Sequence, residues 1–448
     1  MKSLIGTMQS PLLHVFPNRC LMVRNRNASC LRCAEVCTSK AITITEGNLV
    51  VDQKKCIGCG TCASACPTGC LEAASPSDDK LFESVNRALH ATPEKQLTFA
   101  CEQAFGYKNP GELFEDTYTH EPVITLTCLG RVDEALLIQS VAQGASLIKL
   151  TSGTCETCLH HKGGRLCKDI EASARALLDG LGKVAPFERV EVEPGSMRLR
   201  LIEDQNKNTS TAAAIQAANK QANPSAPSSK KAAQRARSAD GSFGHISATI
   251  VRNKKPQNPY YEHVQQDGTL AHHLPERRLR LYNSLKALGT PKEHTVTTRV
   301  WGQVYIDTDL CRSCRMCTVF CPTGALRSGG ESKDALYLEH RSSLCTQCKT
   351  CESICPENAI HVSDTVDYDD FLKGTKQHIE LPPVGWNPGE KDAIATRMSR
   401  FLKVSNYQDP QAGIKPEESI KQQAYMKERD RVRAEKKKTT KMTGEESF

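Results

Sequence analysis

The sequence predicts an α+β chain in which two small cysteine-dense modules flank a small α/β domain and are joined through a flexible linker. Three observations predict it. A short cysteine run recurs four times, in two pairs separated by more than two hundred residues. Apolar strand-like runs alternate with helical spacing between the pairs, and a polar stretch rich in Ala, Gln, Lys, Asn and Ser follows. At 448 residues the length fits about two to four domains. A hydrophobic content of 39% with only 5% aromatics predicts small cores and some linker or tail.

The first module, expected at 1–78, carries Cys56-Ile57-Gly58-Cys59-Gly60-Thr61-Cys62 followed by Cys66-Pro67. An imperfect copy precedes it: Cys20, a nine-residue gap, then Cys30, Cys33 and Cys37. Ala41-Ile42-Thr43-Ile44, the turn Glu46-Gly47-Asn48, and Leu49-Val50-Val51 read as a hairpin between the copies. The second module, expected at 301–365, repeats the run as Cys311, Cys314, Cys317 and Cys321-Pro322, and again as Cys345, Cys348, Cys351 and Cys355-Pro356.

Three cysteines at two-residue intervals wrap three thiolates around one side of a compact inorganic core, and the fourth comes from elsewhere. A tetrahedral zinc site needs only two C-x2-C pairs, so the third cysteine overshoots it. With proline after the fourth cysteine in three of the four copies, the runs read as 4Fe-4S ligands. These residues resemble the bacterial-type 2x4Fe-4S ferredoxin family over about a quarter of the chain. The resemblance implies ferredoxin-like βαββαβ modules in which the fourth cysteine of each run serves the other cluster. Cys56, Cys59, Cys62 and Cys37 would then hold one cluster, and Cys20, Cys30, Cys33 and Cys66 its neighbour. In the second module Cys311, Cys314, Cys317 and Cys355 form one set, and Cys345, Cys348, Cys351 and Cys321 the other. The first copy departs from the family in its long gap after Cys20 and in Thr38, where proline is usual. If Cys20 does not reach, a 3Fe-4S cluster or an altered potential is expected at that site. Gly58-Cys59-Gly60-Thr61-Cys62-Ala63 also fits a loose dinucleotide fingerprint, but it lies inside a cluster run, so no direct use of NAD or ATP is expected.

The α/β domain, expected at 95–200, shows strand-like runs at Leu97–Ala100, Val123–Thr127, Leu147–Leu150 and Arg189–Val192. Ile170, Ala174, Leu177, Leu178 and Leu181 mark one face of a helix that Gly182 stops. Cys101, Cys128, Cys155 and Cys158 follow the first three runs. In an open parallel sheet, groups beyond the carboxyl ends of strands converge in one crevice. Read as Phe99-Ala100-Cys101, Cys128-Leu129-Gly130-Arg131-Val132-Asp133, Gly144-Ala145 and Cys155-Glu156-Thr157-Cys158, this stretch resembles the delta subunit of methyl-viologen-reducing hydrogenase. That resemblance implies a 2Fe-2S cluster and electron relay between a hydrogenase or formate dehydrogenase and heterodisulfide-reductase-like partners. Cys101 lacks the family's second cysteine nearby, being followed by Glu102-Gln103-Ala104-Phe105, and His160 is displaced by one from the family's cysteine-histidine pair. A redox dithiol, a zinc site and a vestigial site stand as the other readings. Cys70 and Cys167 read as packing residues, and His160 and His161 as surface or supporting groups.

The remainder divides into 201–300, a linker with a short helix, and 366–448, a charged tail. Residues 206–242 cannot supply a core. A helix is expected to follow, with Pro275 in its first turn, Leu281, Leu285 and Leu288 on one face, and Gly289 at its end, buttressing the second module. From 415 to 448 the tail is dense in charge and reads as solvated.

The formal charge of +8 takes every cysteine as neutral. Four ligated clusters would contribute about −8 and bring the total near zero. Nucleic acid is therefore not expected as a partner, and no helix-turn-helix is recognisable. Met1 to Phe16 lacks the pattern of an export signal, and no run approaches the roughly 18 apolar residues of a spanning helix. The expectation is a cytoplasmic protein without direct membrane insertion. It would relay electrons between redox enzymes through four 4Fe-4S clusters and a 2Fe-2S cluster, with no catalytic residue of its own. The alternative is an oxidoreductase that uses Cys155 and Cys158 as a redox dithiol.

Overall fold

The computed structural model describes residues 12–25, 28–45, 48–106, 110–202, 270–330 and 336–383. The linker at 206–242 and the charged segment at 415–448 lie outside the described residues.

The first module runs β1 (Leu13–Val15), α1 (Leu21–Arg24), α2 (Arg32–Glu35), β2 (Ile42–Thr45), β3 (Asn48–Val51), α3 (Thr61–Ala65) and β4 (Leu71–Ala73). Strand β1 pairs antiparallel with β4 (Leu13 opposite Ala73), and β2 with β3 (Ile42 opposite Val51). Its buried cluster holds Leu13, Ile42 and Leu71 together with Cys20, Cys33, Cys62, Cys66 and Cys70, so thiols take up much of the space that aliphatic side chains would fill.

Helix α4 (Asp78–Ala91) leads out of this module. Ser77 caps it by accepting the Lys80 N–H at 3.3 Å, Asp78 and Asp79 sit in its positive first turn, and Leu81, Phe82, Val85, Ala88 and Leu89 bury one face. The α/β domain then follows as β5 (Gln96–Cys101), α5 (Glu102–Phe105), β6 (Leu113–Asp116), β7 (Pro122–Leu126), α6 (Glu134–Ala142), β8 (Leu147–Ser152), α7 (His161–Gly180), β9 (Phe187–Glu191) and β10 (Leu199–Leu201). The six strands lie in the order β10-β6-β7-β5-β8-β9. Strands β7, β5, β8 and β9 are parallel, whereas β6 and β10 join antiparallel at one edge. Every residue of β7 is buried, as expected of a parallel strand covered on both faces. From β5 the chain passes to β7 on one side and then to β8 on the other, so the order reverses around the carboxyl end of β5.

Helix α8 (Glu276–Leu288) and β11 (Thr295–Thr297) precede the second module. That module runs β12 (Gln303–Ile306), α9 (Met316–Val319), β13 (Leu326–Gly330), β14 (Leu336–His340), α10 (Thr350–Ile354) and β15 (Ile360–Ser363). The outer strands β12 and β15 pair, with Val304 opposite Val362, and β13 pairs with β14. Ordered structure continues past 365, where the sequence places a charged tail. Strand β16 (Thr365–Asp367) pairs with β11, α11 (Tyr368–Lys373) follows, and β17 (Gln377–Glu380) adds to β14. The reason is local: Asp367 caps α11 by accepting the Asp370 N–H at 2.8 Å, and Tyr368 and Phe371 are fully buried.

One apolar core joins these parts. Trp301, Tyr368 and Phe371 pack with Leu177, Leu178 and Leu281, the Trp301 and Phe371 rings stand 4.4 Å apart, and the Tyr368 hydroxyl donates to the Leu177 carbonyl at 2.8 Å. Helix α8 is placed differently from the sequence expectation. Leu281 and Leu285 enter this shared core, Arg277 donates to the carbonyls of Ala63 and Cys66 in the first module, and the Tyr282 hydroxyl reaches Leu372 O at 2.9 Å. Its buried face includes Arg277 and Arg278, whose guanidiniums need carbonyl or carboxylate partners, so the helix braces all three parts. Among the described residues no helix is long and apolar enough to cross a membrane.

Candidate metal centres

In three of the four runs the same backbone device gathers the thiols. Residues on either side of the middle cysteine adopt positive φ: Gly58 and Gly60 (70° and 72°), Ser313 and Arg315 (53° and 57°), and Gln347 and Lys349 (50° and 57°). Left-handed residues cost non-glycine side chains about 1–2 kcal/mol each, and they turn successive N–H groups toward one concave side. Four non-glycine residues held this way mark both runs of the second module as sites whose shape outweighs local strain. The first copy differs, because Arg32 and Ala34 lie in α2 instead.

The second module shows the geometry most directly. Cys311, Cys314, Cys317 and Cys355 line one cavity with Ile306, Leu338, Ile360 and Leu381. Cys321, Cys345, Cys348 and Cys351 line a second with Val304, Leu326 and Val362. Each cavity thus takes three cysteines from one run and the fourth from the other. Burial pushes the Cys317 thiol well up, and the neighbouring Cys314, Cys355, Cys311 and Cys321 push it further. Cys351 is raised in the same way by burial, then by Cys348, Cys345, Cys321 and Cys317. The Ala359 N–H donates to Cys355 Sγ at 3.3 Å.

In the first module burial raises Cys62 well above the ordinary thiol range, and Cys59, Cys33, Cys56 and Cys37 add to it. Cys33 is pushed up to about 12 by burial and then by Cys66, Cys30 and Cys20. The structure therefore brings Cys37, Cys56, Cys59 and Cys62 together, and Cys20, Cys30, Cys33 and Cys66 beside them. The nine-residue gap opens with α1, which starts at Leu21 directly after Cys20. A thiol that sequence reasoning set aside lies here as well. Cys70 hydrogen-bonds Cys20 and holds its thiol down at about 6, against the effect of burial. The signal was present in the repeat: four residues after the fourth cysteine stand Ala41, Ala325 and Ala359, but Cys70 in this copy. At that position the N–H donates to Sγ of the preceding cysteine, at 3.3 Å from both Cys70 to Cys66 and Ala41 to Cys37.

The α/β domain places its cysteines around the reversal point of the sheet. Cys101 ends β5, Cys128 follows β7, and Cys155 and Cys158 bracket a short helical turn between β8 and α7. Two glycines in the first turn of α7 make room for them. A Cβ at Gly163 would stand 2.4 Å from Cys128 Sγ, and one at Gly164 would stand 2.8 Å from Cys155 Sγ. Burial raises the Cys101 thiol, with Cys155 adding to it against N–H donors from Gly153, Ala104 and Gln103. Cys128 is raised by burial and by Cys59 of the first module as well as Cys101. Cys158 Sγ accepts the His160 N–H at 3.3 Å and is half-exposed, as is Cys155. Cys167 is fully buried within α7 and belongs to the main core.

Crowded, buried thiols of raised pKa stay protonated unless a cation offsets their charge, so these pockets fit a metal centre electrostatically. Among the described residues no three His, Cys, Asp or Glu side chains converge on a single ion. A cubane core differs from a zinc ion in this respect, because it seats each thiolate on a separate iron and so spreads them around a larger volume.

Comparison with known proteins agrees with the geometry. The 4Fe-4S binding domain family matches residues 49–72, and the 4Fe-4S dicluster domain family matches residues 310–359. A probable iron-sulfur protein of the Frd operon of Proteus vulgaris is 51% identical over 43 residues, 10% of this chain and 27% of that protein. The putative electron transport protein YsaA of Escherichia coli (strain K12) is 46% identical over 43 residues, again 10% and 27%. The electron transport protein HydN of the same strain is 50% identical over 40 residues, 9% of this chain and 23% of that protein. The chain thus spans about a quarter of the length of the curated relatives it matches. Two ferredoxin-type 4Fe-4S domains are therefore present, in a chain of mixed helix and strand.

Proposed function

We propose that the chain is a cytoplasmic electron relay with four 4Fe-4S clusters in two dicluster modules and a 2Fe-2S cluster in an α/β domain like the hydrogenase delta subunit. Its partners would be protein redox enzymes such as a hydrogenase, a formate dehydrogenase or a heterodisulfide-reductase-like complex. The observation that carries the reading is the pair of cavities in the second module, each lined by a crossed quartet of cysteines. When bound, such clusters supply one-electron storage at potentials set by burial, charge and hydrogen bonds to sulfur. The chain's part is to hold the thiolates and exclude water. Ile306, Leu338, Ile360 and Leu381 wall one cavity with hydrocarbon, and the Ala41, Cys70 and Ala359 N–H groups donate to ligand sulfurs.

Cys62→Ser tests this. Loss of about four irons per chain, with slower electron transfer from a dithionite-reduced donor to an acceptor dye but unchanged folding of the α/β domain, is expected. Full iron content and full transfer rate in that variant would overturn the relay.

The half-exposed Cys155 and Cys158 favour a second reading, a redox dithiol acting on a disulfide. Alkylation separates the two. A dithiol reacts in the reduced protein and is protected by oxidation, whereas cluster ligands resist until iron is removed.

A further inference from the structure

Where the two modules meet, the first one reaches into the second with arginines. Arg32, between Cys30 and Cys33, donates to the Gln347 carbonyl at 2.9 Å, and Gln347 lies between Cys345 and Cys348. Ser29 Oγ stands 3.3 Å from Ser353 Oγ nearby. Arg24 at the end of α1 donates to the Ala271 carbonyl at 2.8 Å, in a segment that runs along the second module through Leu270 N–H to Val319 O (3.2 Å) and His273 N–H to Pro322 O (2.7 Å). The other two guanidinium nitrogens of Arg24, Nε and Nη2, are buried and have no hydrogen-bond partner among the described residues. Burial works against the Arg24 charge, and the thiolates of Cys321 and Cys348 work for it. Burial and Cys321 raise the Cys348 thiol, whereas Thr350 and Arg32 draw it down. Arg32 also draws down Cys30, against burial.

We propose that Arg24 and Arg32 form a cationic clasp between the modules, with Arg24 serving the Cys321, Cys345, Cys348 and Cys351 set and Arg32 shared with the Cys20, Cys30, Cys33 and Cys66 set. The proposal rests on the relay reading. Both arginines are positioning residues, fixing the approach of the two inner thiolate sets. A cation beside a cluster favours its reduced, more negative form. The orphaned Nε–H and Nη2–H of Arg24 are donors held in readiness for sulfur acceptors, since a buried guanidinium left unpaired would be costly.

The test is an anaerobic potentiometric titration of the full chain with dithionite, followed by EPR, with iron analysis of every variant. Arg24→Leu is expected to keep its iron and to lower the reduced-to-oxidised ratio of one couple by about tenfold at fixed potential, equivalent to about 59 mV for one electron. Arg32→Leu is expected to shift two couples, and Arg24→Lys to restore the native ratio. The remaining couples, of the Cys62 and Cys317 sets, should not move. Unchanged couples in iron-replete Arg24→Leu and Arg32→Leu would overturn the clasp while leaving the relay intact; absence of iron from the wild-type chain would instead overturn the relay. Should Arg24→Leu fail to load iron, Arg24→Gln carries the same expectation without the charge, and a native ratio in it would count equally against the proposal.

Discussion

Cys20 and Cys70 are the residues on which the imperfect first copy turns. Their hydrogen bond is the main cause that raises Cys70, with burial and neighbouring thiols adding to it, and the same bond lowers Cys20, so Cys70 donates and Cys20 accepts. Cys20→Ser is therefore expected to lose iron or convert one centre to a 3Fe-4S signal. Cys70→Ala, which installs the residue found in the other three copies, is expected to retain the full count. Iron analysis and EPR of the two variants decide it; equal losses would make Cys70 a ligand in its own right. Ligand candidates were legible in the sequence because their spacing is fixed by the inorganic core they wrap. Cys70 is marked only by contrast with Ala41, Ala325 and Ala359 at the matching positions, because no spacing rule applies to a thiol that acts on a ligand. The glycines that admit Cys128 and Cys155, Gly163 and Gly164, were silent, since a helix gives no sign of what approaches its first turn.

Among the elements, the parallel strands announced themselves and the antiparallel pair at one margin of the sheet did not. Leu97 to Ala100, Val123 to Thr127 and Leu147 to Leu150 are mainly apolar runs and fall within or alongside β5, β7 and β8. Strands β6 and β10 carry Glu115, Asp116 and Arg200, because a sheet edge needs only one apolar face. The approach of α3 to α7 depends on Gly130, where a Cβ would meet Thr61 Oγ1 at 2.6 Å and Gly163 Cα at 2.7 Å. Gly130→Ala should destabilise the protein by about 1–3 kcal/mol, read from the urea midpoint, and the contact is unimportant if the midpoint holds. Phe371→Ala, removing a fully buried ring packed against Trp301 and Tyr282, should cost about 3–5 kcal/mol. The modules respond differently from the sheet to loss of metal. Cysteine supplies five of the eight buried residues in the first module's cluster and four of twelve in the second's, so chelation should abolish amide protection across 13–73 and 303–363 while β5, β7 and β8 stay protected. Hydrogen exchange after chelation checks this, and unchanged protection in the modules would mean that they fold without metal.

At the scale of the whole molecule, the structure replaces two tethered units with one continuous body. Sequence reasoning could not foresee it, because the residues responsible are scattered and individually ordinary: Arg131 with Asp78, Arg299 with Glu134 at 2.6 Å, Trp301, Tyr368 and the arginines of α8. Their joint effect is a sequence of thiolate sets in which each faces the next. Cys128 lies within electrostatic reach of Cys101 and of Cys59, Cys62 of Cys33, Cys30 of Cys348, and Cys351 of Cys317. On the proposed relay, such a line would carry electrons within one chain between partners docked at its two ends. The most direct test of the relay is iron, acid-labile sulfide and zinc analysis of anaerobically purified protein, with EPR after dithionite reduction. A relay of this kind holds about sixteen to eighteen irons per chain with matching sulfide and interacting 4Fe-4S signals, the upper end marking a 2Fe-2S centre in the α/β domain. Abundant zinc with little sulfide in freshly isolated protein would contradict it.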